Sequence, residues 1–253
     1  MNIGLDQYVY LGSPLHRWEP RCKLIGLIVL IFAFSFVGNL SILPAMVGVT
    51  AALFIVSKLP VSFMLTRLRY PGFFILAVIL ILPFVSGHTV VLSMGPLDLR
   101  QEGLISVLSI ATRFLSILTI GLVLFSTTPF LTTIKSMRAL GLPSILADMA
   151  FLFFRYLFEI SDDLRRMEMA MRLRGLRVRR FSLHALRTLA WLGGSILVRS
   201  YERADRVYKA MILRGYGHAG RSQYDLRASS RDLIALGLIL VVAGGFIAGD
   251  ILV

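Results

Sequence analysis

Cysteine is almost absent from the 253-residue chain, where Cys22 stands alone. A single thiol excludes an internal disulfide framework and any metal site built on two or more thiolates. Charge is scarce too. Asp, Glu, Lys and Arg make up 16% of the residues, against roughly 25% in an ordinary soluble domain. Acidic residues are the scarcer sign, 14 against 27 basic ones, so the formal net charge is +13. The four histidines, His16, His88, His184 and His218, are spread along the chain with no ligand spacing, which speaks against an imidazole metal site. No Gly precedes any of the four lysines, Lys23, Lys58, Lys135 and Lys209. A Walker A phosphate loop is therefore absent, and ATP hydrolysis by that route needs a partner. His-Glu-x-x-His and Gly-x-Ser-x-Gly segments are missing as well, which removes the common zinc-protease and hydrolase motifs.

Apolar residues are abundant. They make up 57% of the chain, and the mean hydropathy is +0.78. A disordered chain would be far less apolar, and so much apolar surface needs a solvent other than water. The expected class is an all-α polytopic membrane protein of about five transmembrane helices, with long amphipathic helices outside the bilayer. Leu24 to Ser57 is an uncharged run of 34 residues. As one helix it would reach roughly 51 Å, well beyond the roughly 30 Å hydrocarbon core. Gly38-Asn39-Leu40-Ser41 and Pro44 break it into spans near 24–40 and 42–57. Further spans are expected at 70–85, at 103–126 with Arg113 inside it, and at 233–249. Segment 142–158 carries Asp148 and Arg155 and reads as a partly buried helix. Residues 1–23 lack the apolar core of a signal peptide.

Lys and Arg mark the sides of the membrane. Segments 1–23 and 58–69 hold three each, and 127–231 holds nineteen. The turn at 38–44 holds none and the loop 86–102 only Arg100. With five spans the basic segments all fall on the cytoplasmic side, the N-terminus included. Arg113 is a costly charge inside a span, at least about 2.5–3.5 kcal/mol on insertion scales. It is expected to serve the bundle structurally.

Region 127–231 carries two helical periods. Leu157, Ile160, Leu164, Met167 and Met171 share one face of the first helix, and Leu197, Tyr201, Ala204, Tyr208 and Met211 one face of the second. These stripes are expected to pack on each other or on membrane-side helices. The two helices close alike: Ala170-Met171-Arg172-Leu173-Arg174-Gly175 and, 40 residues on, Ala210-Met211-Ile212-Leu213-Arg214-Gly215. Gly just past a helix end and Arg in its last turn are ordinary capping chemistry. Two matched copies also suit two Arg forks docking into equivalent acidic clefts of a two-fold partner. Leu176 to Arg187 is a basic tract that joins two helices, and nucleic acid is not expected as a partner.

The chain resembles the transmembrane T component of energy-coupling factor (ECF) transporters along nearly its whole length. The carriers are residues 13–23 (Ser-Pro-Leu-His-Arg-Trp-Glu-Pro-Arg-Cys-Lys), Glu102-Gly103-Leu104, Arg113, Thr127-Thr128-Pro129, Leu140-Gly141-Leu142-Pro143, Arg155-Tyr156 and the two Arg-Gly tips. The tips are similar to the family's Ala-Arg-Gly signatures, with Leu173 and Leu213 where the signature has Ala. The segment Leu5-Asp6-Gln7-Tyr8-Val9-Tyr10 is similar to the cobalt-type branch, CbiQ. The resemblance implies a non-catalytic, cofactor-free subunit in the inner (plasma) membrane, bound to two cytoplasmic ABC ATPase subunits and to a substrate-capture membrane subunit. It implies coupling residues Ala170, Met171, Leu173, Arg174, Gly175, Ala210, Met211, Leu213, Arg214 and Gly215. The expected layout is a membrane bundle at 1–126, a cytoplasmic coupling-helix region at 127–231 and a last transmembrane helix at 232–253. Cobalt or nickel is the expected cargo. The alternatives are a T component serving a vitamin, or a stand-alone secondary carrier. Such a carrier would usually show repeats of broken spans in matching positions, which five unequal spans do not offer.

Overall fold

In a computed structural model of the chain, the described residues are 12–85, 90–94, 97–175, 183–217 and 229–252. The chain divides into two units, Met1–Leu140 with Leu226–Val253, and Gly141–Asp225.

The first unit holds α1 (Pro14–Arg17), α2 (Pro20–Phe36), α3 (Leu43–Ser57, preceded by a 3-10 turn at Leu40–Ile42), α4 (Val61–Val85), α5 (Gln101–Ser126), α6 (Phe130–Ala139) and α9 (Ser230–Leu252). The start of α2 is written locally. Pro20 occupies its first turn, and the Glu19 carboxylate accepts the Cys22 N–H at 3.1 Å, as an N-cap should. At the start of α9, the Ser229 N–H donates to Asp232 Oδ2 at 3.0 Å, half of a capping box.

Helix directions follow from pairs of contacts. Along α2 and α9, Trp18 Nε1 donates to the Asp232 carbonyl at 3.2 Å, the Phe34 and Phe246 rings meet edge to face at 5.0 Å, and the Gly38 and Asn39 N–H groups donate to Asp250 Oδ1 at 2.8 and 3.0 Å. These two helices are therefore parallel. Gly26 permits the approach, since a Cβ there would lie 3.3 Å from Leu236 Cδ1. Small residues serve this purpose where lipid removes the hydrophobic drive between helices. Lys23 at the start of α2 reaches Thr127 at the end of α5, so those two are antiparallel. Leu15, Leu59 and Val123 cluster, which brings the ends of α3 and α5 to the same pole. One pole thus gathers the starts of α2 and α9 with the ends of α3 and α5. It is rich in Arg17, Arg21, Lys23, Lys58 and Arg231. The opposite pole holds the 38–42 turn and Asp250.

Because α3 and α5 both finish at the basic pole, α4 must carry the chain across between them. Five helices traverse the bundle. By length and composition α3 with its 3-10 turn, α5 and α9 can each cross a membrane alone, and α4 qualifies as a pair, Val61–Phe73 and Ile75–Leu82, bent by 46°. Pro71 lies just before the bend and removes an amide donor from the helix. With 17 residues, α2 reaches about 26 Å, the short limit for a spanning helix. The core is built on one face of α2, where Leu27, Leu30, Phe34 and Val37 are buried with Met46, Ile120 and Ala243, while Phe32 and Phe36 face outward.

Two expectations are corrected. The basic segment 58–69, expected as a loop between the spans 42–57 and 70–85, is helical from Val61 on, since Pro60 begins a helix well and no breaker follows it before Pro71. The segment 86–102 is not wholly a loop. Val90–Met94 (β1) and Leu97–Arg100 (β2) pair antiparallel, and α5 begins directly after them.

The second unit consists of α7 (Ser144–Leu173) and α8 (Leu183–Leu213). Segment 142–158 is the first half of α7, continuous with the first amphipathic stretch. It does not qualify as a membrane span among the described residues. Of the basic tract 176–187, residues 183–187 already belong to α8, and 176–182 lie outside the described residues.

Candidate functional site

Both helix tips adopt one backbone structure. The Arg174 N–H donates to the Ala170 and Met171 carbonyls at 3.2 and 3.1 Å, and the Arg214 N–H to Ala210 and Met211 at the same two distances. The Gly175 N–H reaches Arg172 O at 3.0 Å, and the Gly215 N–H reaches Ile212 O at 2.9 Å. Both glycines are left-handed, with φ of +87° and +81°. At the second tip the Tyr216 N–H also reaches Met211 O at 3.0 Å, completing a Schellman motif. The side chains match as well. Ala170 and Ala210 are exposed, Met171 and Met211 are half-buried, and Leu173 and Leu213 are 85% and 88% exposed. Arg174 and Arg214 are exposed and make no ion pair among the described residues. Each tip therefore presents a guanidinium and a leucine beside a bare glycine, with space for a partner to approach.

The helices behind the tips are joined by Arg203. Its guanidinium lies 3.2 Å from Glu159 Oε1 and 3.2 Å from Asp163 Oδ2. Asp163 and Arg203 are 40 residues apart, the same offset as the two tips. Equivalent positions of the two helices thus meet. Arg174 lies 11 residues past Asp163, and Arg214 lies 11 past Arg203. Each tip stands about 16 Å along its helix from the crossing, which is a pseudo-two-fold arrangement. Near the second tip, the Tyr216 hydroxyl donates to Asp148 Oδ2 at 3.1 Å.

Sequence periodicity found the α7 stripe and misread the α8 one. Leu157, Ile160, Leu164, Met167 and Met171 are half-buried. On α8, Leu197, Tyr201 and Tyr208 are 70%, 76% and 59% exposed, and Ala204 is exposed too. The inward face is Leu192, Ile196, Ser200, Arg203, Val207 and Met211, about one residue round the helix. The α7 carboxylates turn Arg203 inward, and the apolar stripe is displaced outward with it. An apolar count cannot detect this. The only sequence signal was the 40-residue repeat, which aligns Asp163 with Arg203.

In the bundle, Arg113 on α5 is half-buried, and Asp250 on α9 caps the 38–39 turn. Lys23, counted from sequence as a flanking charge, is 1% exposed, and its ammonium donates to Thr127 O and Oγ1 at 3.2 and 3.3 Å. Among the described residues no group of three or more His, Cys, Asp or Glu is placed to hold a metal ion. His88 and His218, and the segment 5–10 similar to the cobalt-type branch, lie outside the described residues.

Residues 12–225 match the CbiQ family, described as cobalt transport protein. The chain belongs to the CbiQ family. Curated relatives agree along the length of the chain. The energy-coupling factor transporter transmembrane protein EcfT of Lactococcus lactis subsp. cremoris is 30% identical over 257 residues, covering 95% of each chain. The protein of the same name from Brevibacillus brevis is 28% identical over 97% of this chain and 98% of its own. That from Bacillus selenitireducens is 27% identical over 98% and 97%. This CbiQ-family chain is an energy-coupling factor T component, a membrane-embedded subunit of a transporter.

Proposed function

We propose that the two Arg-Gly tips couple a pair of cytoplasmic ABC ATPase subunits to a substrate-capture membrane subunit. In this reading Arg174-Gly175 and Arg214-Gly215 enter equivalent acidic grooves of the two ATPases. ATP-driven closure moves the tips together. Because α7 and α8 are clasped at Arg203, the movement changes their crossing and is passed to the capture subunit. The observation that carries the reading is the matched geometry of the tips at equal distances from the crossing, which suits a two-fold motor. The exposed stripe of Leu197, Tyr201 and Tyr208 supplies an apolar surface for the capture subunit. The chain does no chemistry of its own, takes no cofactor, and draws its energy from the ATPases.

The cations gathered at one pole of the bundle support an orientation in the plasma (inner) membrane with that pole and the N-terminus in the cytoplasm. The family description supports cobalt, or the similar nickel, as cargo held by the capture subunit. A T component serving a vitamin is the second reading, favoured by relatives whose names specify energy coupling and no metal. Uptake of labelled cobalt against labelled vitamins in cells carrying the complex separates the two.

The decisive experiment is Arg174→Ala with Arg214→Ala. Losing a charge-assisted interfacial contact costs on the order of 2–5 kcal/mol each. The double variant should insert normally while ATP-dependent uptake is lost. Wild-type uptake by that variant would refute coupling through the tips. Two ATPase chains and a small membrane protein should co-purify with the wild type.

A further inference from the structure

Three cations at the basic pole lie outside the two Arg-Gly tips. Arg17 ends α1, Lys58 closes α3 and Arg231 opens α9. Together with Trp18, Asp232 and Ala235 they line a cavity of about 650 Å³, within the usual range for small-ligand sites. All three cations are exposed, and none is ion-paired among the described residues. The one carboxylate in the lining is already committed. Asp232 Oδ2 accepts the Ser229 N–H at 3.0 Å and Oδ1 the Glu19 N–H at 3.4 Å. The Trp18 indole is held by its bond to the Asp232 carbonyl, so its ring forms a fixed wall. The cavity therefore presents three cations against one occupied anion.

Lys58 adds an independent observation. It is the only residue besides glycine with positive φ among the described residues, at +55°, a conformation glycine adopts freely and lysine does not. Its N–H donates to the Ile55 carbonyl, which holds the helix end in place. A cation is kept where the backbone would favour glycine.

The level of the cavity defines its ligand. Lys58 directly follows the uncharged run of α3, and Asp232 directly precedes that of α9. On the membrane side of these residues, Ile55, Val56, Leu233 and Ile234 are exposed and apolar. A phosphate bound among the cations would have hydrocarbon-facing surface immediately beside it.

We propose that Arg17, Lys58 and Arg231 form a phosphate site that holds the headgroup of an anionic phospholipid, with its acyl chains along α3 and α9. The phosphate is the shared chemistry, and the exposed apolar residues beside it select a lipid over a free anion. Bound there, the lipid bridges α1, α3 and α9 at the basic pole of the bundle.

The test uses the purified full chain in detergent with Trp191→Phe, which leaves Trp18 as the sole tryptophan of the two. Trp18 emission is followed while dihexanoyl phosphatidylglycerol, dihexanoyl phosphatidylcholine or inorganic phosphate is added. Phosphatidylglycerol should produce a saturable change at far lower concentration than either comparison compound. Each cation near a lipid surface contributes about fivefold, so Arg17→Gln, Lys58→Gln and Arg231→Gln together should raise half-saturation about 100-fold. Lys58→Gly alone should raise it about fivefold while keeping helix content and melting temperature, because that position suits glycine. It carries the test if the triple variant does not fold. Equal response to the two lipids, or unchanged half-saturation in the variants, overturns the site. An equal response to inorganic phosphate and phosphatidylglycerol overturns the lipid assignment.

Discussion

Gly175 and Gly215 show how much a single side chain controls at the tips. A Cβ added at either would meet nothing within 4 Å, so the cost of Ala there is purely conformational. Left-handed backbone costs a non-glycine residue about 1–2 kcal/mol. Gly175→Ala and Gly215→Ala should each lower stability by about that amount, read as a fall in melting temperature, while Asn at the same positions costs less. The need for glycine could be read from sequence, because the tips follow long helical periods. Lys23 could not be read this way. It adjoins an apolar run and looks like a flank, yet it is buried because Thr127, 104 residues later, brings two oxygens to its ammonium.

At the level of helices, Arg203 decides how α7 and α8 face each other. Its partners are half-exposed, so each single loss is modest, about 1 kcal/mol. Arg203→Glu places like charges together and should loosen the crossing and lower uptake. Adding Glu159→Arg and Asp163→Arg should restore both, measured as uptake and as crosslinking between cysteines introduced on α7 and α8. Failure of the reversed set to recover either would show that the clasp does not set the crossing. The C-terminal ends of α7 and α8 were legible in their Arg-Gly closures, while their starts at Ser144 and Leu183 lie well before the stripes at 157–171 and 197–211. The inward face of α8 was not legible. Three carboxylate and guanidinium groups on different helices outweigh the apolar stripe, and that balance exists only once the helices meet.

For the bundle as a whole, the parallel α2 and α9 make a sharp prediction. In a Cys22→Ser background, cysteines at Ser41 and Ile251 should react with a membrane-impermeant reagent from one side of the membrane. Cysteines at Pro60 and Ser230 should react from the other. Labelling of 41 and 251 from opposite sides would exclude the five-traverse arrangement. Apolar runs and breakers along the chain were enough to locate four of the traverses and most of the fifth. Those signals are local, because helix formation and transfer into hydrocarbon depend on a segment's own residues. The same holds for the paired tips. Folding in three dimensions decided which charges are sheltered and which are left for partners. Lys23 and Arg203 are satisfied by Thr127, Glu159 and Asp163, while Arg17, Lys58 and Arg231 converge with no ion-pair partner among the described residues. Electrostatic and hydrogen-bond partners act over a few ångströms whatever their separation along the chain, so these assignments depend on the packed arrangement.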